Sequence, residues 1–182
     1  MKMLPSLRTL AISLTCAALV MAGSPADADV GPSTNAAAIR VTTGNTFALV
    51  PTADPNVFGH PVDGVAQVSV MGNAHFHGEG TIYLPTSAGQ SIRIVNTSPW
   101  TLTSSDGANS LKFDVVGTAA FDPANPLFAN LTYQVTFTGG TGRFVGAKGT
   151  ATMEVTAEFT SALAGLANWT MKGVVITPGA GS

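Results

Sequence analysis

Residues 66–84 read AQVSVMGNAHFHGEGTIYL, and the parity of this stretch decides the fold. Ala66, Val68, Val70, Gly72, Ala74, Phe76, Gly78, Gly80, Ile82 and Leu84 share one parity. Gln67, Ser69, Asn73, His75, His77, Glu79, Thr81 and Tyr83 share the other. Side chains alternate across a strand, so a period of two gives one dry face and one wet face. The small residues at 72–74 and 78–80 predict a turn or bulge within the stretch.

The same period continues downstream. Leu111, Phe113 and Val115 alternate with Lys112 and Asp114; Leu131, Tyr133, Val135 and Phe137 alternate with Thr132, Gln134, Thr136 and Thr138. Ala151, Met153, Val155, Ala157 and Phe159 alternate with Thr152, Glu154, Thr156 and Glu158. Turn signals separate the runs at Pro85–Gly89, Ser105-Asp106-Gly107 and Gly139–Gly142. No stretch carries a convincing helical period, although Ser161–Ala167 could form one short turn of helix. The pattern predicts an all-β protein with eight strands, at 63–71, 73–84, 89–96, 99–104, 110–118, 130–138, 147–159 and 168–178. Short consecutive connections favour an up-and-down antiparallel barrel, because closure removes edge strands; a sandwich is the alternative. On this reading residues 63–182 are the barrel domain. Residues 29–62, rich in Pro, Asn, Asp and Gly, form an irregular N-terminal arm with β-like runs at Ile39–Val41 and Phe47–Val50.

Ahead of the arm, Lys2 and Arg8 precede an apolar run from Leu10 to Ala22, too short to span a bilayer core of about 30 Å. Ala26-Asp27-Ala28 then fits a small-x-small cleavage site. Residues 1–28 therefore read as a signal peptide, Asp29 as the mature start, and the protein as secreted or periplasmic. The one cysteine, Cys16, lies inside the apolar run, so the mature chain has no disulfide and no thiolate site. No later run predicts a membrane span. The 182-residue chain is 45% hydrophobic and 10% charged with a net charge of −2, which excludes intrinsic disorder of its body. So weakly acidic and charge-poor a surface also lacks the row of cations that nucleic acid requires.

Several constellations invite a chemical reading. His75, His77 and Glu79 stand at i, i+2 and i+4 of one strand, where two imidazoles and a carboxylate could share a metal, with His60 as an added ligand. Their parity is that of Gln67, Ser69 and Asn73, so the expectation is a solvated face and no metal. The glycine-rich run 137–149 lacks both the Gly-Lys-Ser/Thr of a phosphate loop and a following helix; its glycines serve a tight hairpin. No serine sits in a Gly-x-Ser-x-Gly elbow, and Glu154 and Glu158, though on one face, are on the wet one. The sequons at Asn130 and Asn168 are discounted beside a signal of bacterial style. No catalytic constellation is assigned.

The glycine hairpin also carries a resemblance. Thr138-Gly-Gly-Thr-Gly-Arg-Phe-Val-Gly-Ala-Lys-Gly-Thr150 resembles the Gly-Gly-Thr-Gly-x-Phe…Ala-x-Gly hairpin of dirigent proteins and allene oxide cyclases, and of secreted bacterial proteins sharing that barrel. Gly72–Gly80 is similar to the Ala-Thr-His-Leu-Gly-Arg strand of the bacterial members, with Glu79 in place of a basic residue. Thr103–Leu111 resembles their Ala-x-Asp-Gly-Asp-x-Leu turn. Together these cover about residues 65–158. The resemblance implies an eight-stranded, calycin-like barrel with an apolar cavity, often a homotrimer, working without metal or organic cofactor.

Parity places Phe76, Phe113, Tyr133, Val135, Phe137 and Met153 inside, with Trp100 and Arg143 at the rim. Ala74, Gly78, Gly80, Gly117 and Ala151 dilute these large residues and predict a residual cavity, open toward Phe121–Phe128. The expected ligand pocket is thus Phe76, Phe113, Tyr133, Phe137, Met153, Trp100 and Arg143. Three functions fit this interior. One is non-catalytic binding of a small apolar or phenolic molecule. Another, which the resemblance implies, is a cofactor-independent cyclase or isomerase of the allene oxide cyclase or dirigent type, with Tyr133 as its interior polar group and Arg143, Trp100 and His75 at the rim. The third is a closed structural barrel without ligand.

Overall fold

Alternation of burial follows the alternation of residue type closely. In the computed structural model, which describes residues 34–87 and 90–179, ten strands form one antiparallel sheet. They are β1 (Thr34–Ala48), β2 (Val50–Pro51), β3 (Val57–Val68), β4 (Gly72–Tyr83), β5 (Ile92–Asn96), β6 (Trp100–Ser104), β7 (Ser110–Asp122), β8 (Asn125–Thr141), β9 (Lys148–Phe159) and β10 (Ala164–Pro178). The expected signal segment and Asp29 lie outside the described residues. Among the described residues no helix is long and apolar enough to cross a membrane.

The pairings run in chain order and return to their start. β1 pairs β3, β3 pairs β4, and β4 pairs both β5 and β6; these pair β7, which leads through β8, β9 and β10 back to β1. β5 and β6 lie end to end between β4 and β7. Pro99, which has no N–H to give a ladder, stands in the gap between them. The Asn96 amide bridges that gap. Its Nδ2 donates to Asp114 Oδ1 at 2.8 Å and to Ser98 O at 3.0 Å, and its Oδ1 accepts from Val115 N at 2.9 Å.

The irregular arm expected over 29–62 is a correction. Residues 34–62 hold β1, β2 and half of β3, so the sheet has ten strands rather than eight. β1 is hydrogen-bonded on both sides, over fifteen residue pairs with β10 and from Val41↔Val68 to Phe47↔Val62 with β3. Ladder pairing thus overrides the weak local signal of a segment rich in turn-forming residues. The helical turn considered for 161–167 is also absent: Ser161–Leu163 is the bend into β10.

Inward parity supplies the core. Phe76, Leu102, Leu111, Phe113, Val115, Tyr133, Val135, Met153 and Met171 are almost fully buried. Phe76 is its aromatic centre, with ring centroids 5.3 Å from Trp100, 4.9 Å from Trp169 and 6.4 Å from Phe113. Offset and edge contacts of this kind add about 0.5–1.5 kcal/mol per pair beyond burial. The small inward residues do not dilute this core, as the sequence suggested. Gly117 stands directly opposite Tyr133, and the Tyr133 ring occupies the space a Cβ would take. At Gly78 an added Cβ would lie 2.6 Å from the Trp100 indole. These glycines are sockets for rings.

At the β8–β9 connection the glycines serve the backbone. Gly142, at φ 59°, opens a single 3-10 turn over Gly142–Phe144, the left-handed conformation that favours glycine. Trp100 has no comparable freedom to yield, because its indole Nε1 donates to Glu79 O at 3.0 Å within the buried cluster. Gly78→Ala is therefore expected to destabilise the protein by about 1–3 kcal/mol through overpacking, read by urea unfolding. A neutral effect would show that the indole does not fill this socket.

Candidate functional site

Seven strands place i, i+2 pairs of inward side chains around one end of the circuit. They are Phe47 on β1 with Leu49 just past its end, Phe58 and His60 on β3, Ile82 on β4 with Leu84 just past its end, and Ile92 and Ile94 on β5. Ala119 and Phe121 follow on β7, Ala129 and Leu131 on β8, and Ala157 and Phe159 on β9. With Ala162 and Leu163 from the β9–β10 bend they line a cavity of about 220 Å³. Phe121 and Leu163 are exposed, so the cavity reaches the surface through an apolar rim.

His60 is the one polar side chain among these sixteen. It is only 9% exposed, its Nδ1 has no hydrogen-bond partner, and the Phe47 ring lies edge-on with centroids 6.2 Å apart. Removal from water penalises the imidazolium, and burial lowers its pKa from 6.5 to about 4. His60 is thus neutral at physiological pH. It also borders a second, inner void of about 30 Å³ shared with Asn45, Phe76, Trp100, Tyr133 and Met153. Asn45 Oδ1 is likewise buried and unpartnered.

The pocket read from parity lies elsewhere. Phe76, Phe113, Tyr133, Phe137, Met153 and Trp100 are packed against one another in the core, and none lines the 220 Å³ cavity. Arg143 is exposed at the opposite end of β8 from Ala129 and Leu131, its guanidinium 5.1 Å from the Phe144 ring centroid. Tyr133 is sealed in the core, and burial raises its pKa well above the ordinary phenol range, which keeps it protonated. The physical reason for the misplacement is the ring-and-socket packing, which consumes the space the glycines would have left. Ala151, another of those small residues, is buried against Gly173 and does not line the cavity. Of the expected Phe121–Phe128 end, Phe121 alone lines the observed cavity.

His75, His77 and Glu79 project from the outer face of β4, all exposed. His77 Nδ1 lies 2.6 Å from Asp63 Oδ1 across the β3–β4 ladder, with both side chains largely in solvent. Among the described residues no three His, Cys, Asp or Glu side chains are grouped as metal ligands. The sequence reading missed His60 as a pocket residue because it considered the arm only as a source of an extra metal ligand.

No protein-family model matches the chain, and no curated protein matches it. Among solved structures, it is similar to the pterocarpan synthase dirigent protein GePTS1, with 11% identity over 82% of this chain and 88% of that one and a TM-score of 0.43.

His60 gives the stability a definite pH dependence. The unfolded chain takes up the proton near 6.5 and the folded protein only near 4, so the unfolded state binds more protons between these values. The contribution is fully present above pH 6.5 and is lost as pH falls toward 4, at most about 3 kcal/mol. Thermal unfolding of wild type should therefore lose more stability between pH 7 and pH 4.5 than His60→Phe does. Parallel pH profiles would contradict a buried neutral imidazole.

Proposed function

We propose that the protein is an exported β-barrel that binds one small apolar molecule, without catalysis, in the cavity ringed by Phe47, Ile94, Leu131 and Phe159. The barrel has eight positions, with β5 and β6 sharing one. At that width an interior is either filled by side chains or holds one small ligand. The observation that carries the reading is the lining: fifteen of sixteen side chains are apolar, around about 220 Å³ that they do not fill. An apolar cavity of about 150 Å³ stays dry and accepts a benzene ring, so this one suits a molecule of one or two rings. The lining contains one titratable group and no acid to pair with it, which supports binding over acid–base chemistry. The three-part pattern of residues 1–28 supports export, and N-terminal sequencing of exported protein should find Asp29 first; an intact Met1 would count against it.

Naphthalene, followed by its own fluorescence, is expected to bind in the tens of micromolar range, about −6 kcal/mol. Ala119→Phe directs a ring into the cavity and should weaken binding at least about tenfold, with near-ultraviolet circular dichroism confirming a native fold. Should Ala119→Phe unfold, Ala162→Trp in the β9–β10 bend blocks the same space from outside the sheet. Absence of naphthalene binding to wild type, or binding untouched by the folded blocking variant, would overturn the reading.

A further inference from the structure

A neutral imidazole in an otherwise apolar wall is an unusual expense. A buried polar nitrogen without a partner costs on the order of 1–3 kcal/mol, and an aliphatic side chain at position 60 would avoid that cost. His60 Nδ1 has no partner in the protein, and the ring is shared between the outer cavity and the inner void. We propose that the His60 imidazole is the polar anchor of the ligand site, and that the ligand is a neutral apolar molecule carrying a single hydroxyl group that hydrogen-bonds to it. This rests on the reading of the cavity as a ligand site.

The chemistry of the wall selects the hydroxyl. A neutral imidazole presents one donor and one acceptor, and which nitrogen plays which role depends on the tautomer. A hydroxyl can give or take a hydrogen bond and so satisfies either tautomer, whereas a ketone or ether can only accept. A carboxylate is disfavoured because no Lys or Arg lines the cavity to compensate its charge. An ammonium is disfavoured for the same reason, since no Asp or Glu is present there. Every remaining lining residue is hydrocarbon, so a second polar group on the ligand would be desolvated without a partner.

The test uses three 2-substituted naphthalenes at pH 7.5: the near-isosteric pair 2-methylnaphthalene and 2-naphthol, and the larger, charged 2-naphthoate. Wild type should bind 2-naphthol at least as tightly as 2-methylnaphthalene, despite the lost methyl group, and bind 2-naphthoate weakest. In His60→Phe the affinity ratio of 2-naphthol to 2-methylnaphthalene should fall about tenfold, the loss of one hydrogen-bond partner. A wild-type measurement guards against a variant that fails to fold. The ¹⁵N resonances of the His60 ring should move on adding 2-naphthol and stay nearly fixed on adding 2-methylnaphthalene. If both neutral probes bind with a ratio that His60→Phe leaves unchanged, or if the ring resonances respond alike to both, the anchor is refuted while the apolar site stands. Tightest binding of 2-naphthoate would refute the hydroxyl class. If neither neutral probe binds, the ligand site itself falls, and the anchor with it.

Discussion

The double pairing of β1 is the constraint on which the structure depends. Hydrogen-bonded along its whole length to β10 and over its C-terminal half to β3, it returns the circuit of strands to its start. An open sheet of this length would present two rows of unpaired backbone groups. Closure also fixes parity for every strand at once, because a slip of one residue anywhere would turn that strand's apolar set outward. The i, i+2 pairs that seven strands contribute to one cavity are a direct consequence of that shared parity.

Within the enclosed space the two ends of the interior are solved differently. In the centre, rings meet glycines: Tyr133 fills the place of a Gly117 side chain, and Trp100 that of Gly78, while Phe76 bridges Trp100, Phe113 and Trp169. Toward Phe121 and Leu163 the rings of Phe47, Phe58, Phe121 and Phe159 alternate with aliphatic chains and the alanines Ala119, Ala129 and Ala157, and together they leave about 220 Å³ unfilled. His60 sits where the two regimes meet, bordering both the outer cavity and the inner void. Packed centre and open end thus share one interior and one inward parity.

Most of the fold was legible in the sequence because β4 and β7 to β9 alternate cleanly between apolar and polar residues. β1 was not, since its inward positions include Thr43 and Asn45 where an apolar residue would be expected, and β3 carries Gly59, Pro61, Asp63 and Gly64. Such segments become strands through their ladders, and ladders are invisible in a linear pattern. Of the cavity, the sequence reading pointed only to Phe121, the one residue of the expected Phe121–Phe128 end that lines it. Small residues at Gly78 and Gly117 suggested a void, but whether a small residue leaves space depends on what stands opposite it. That is a matter of register: Gly117 faces Tyr133, and His77↔Thr101 places Gly78 beside Trp100. His60 shares its inward parity with Val62, Ala66 and Val68, and was hidden because residues up to 62 read as an irregular arm rather than as a strand.

The most direct test of the account is where in the interior an apolar molecule sits. Isotope-filtered nuclear Overhauser measurements on the protein with naphthalene would locate it from methyl contacts. The account predicts contacts to Leu49, Ile82, Ile94 and Leu131, which line the cavity, and none to Met153, Val135 or Met171 in the packed centre. Contacts to the central methyl groups, or to none of the cavity methyls while naphthalene is bound, would contradict it.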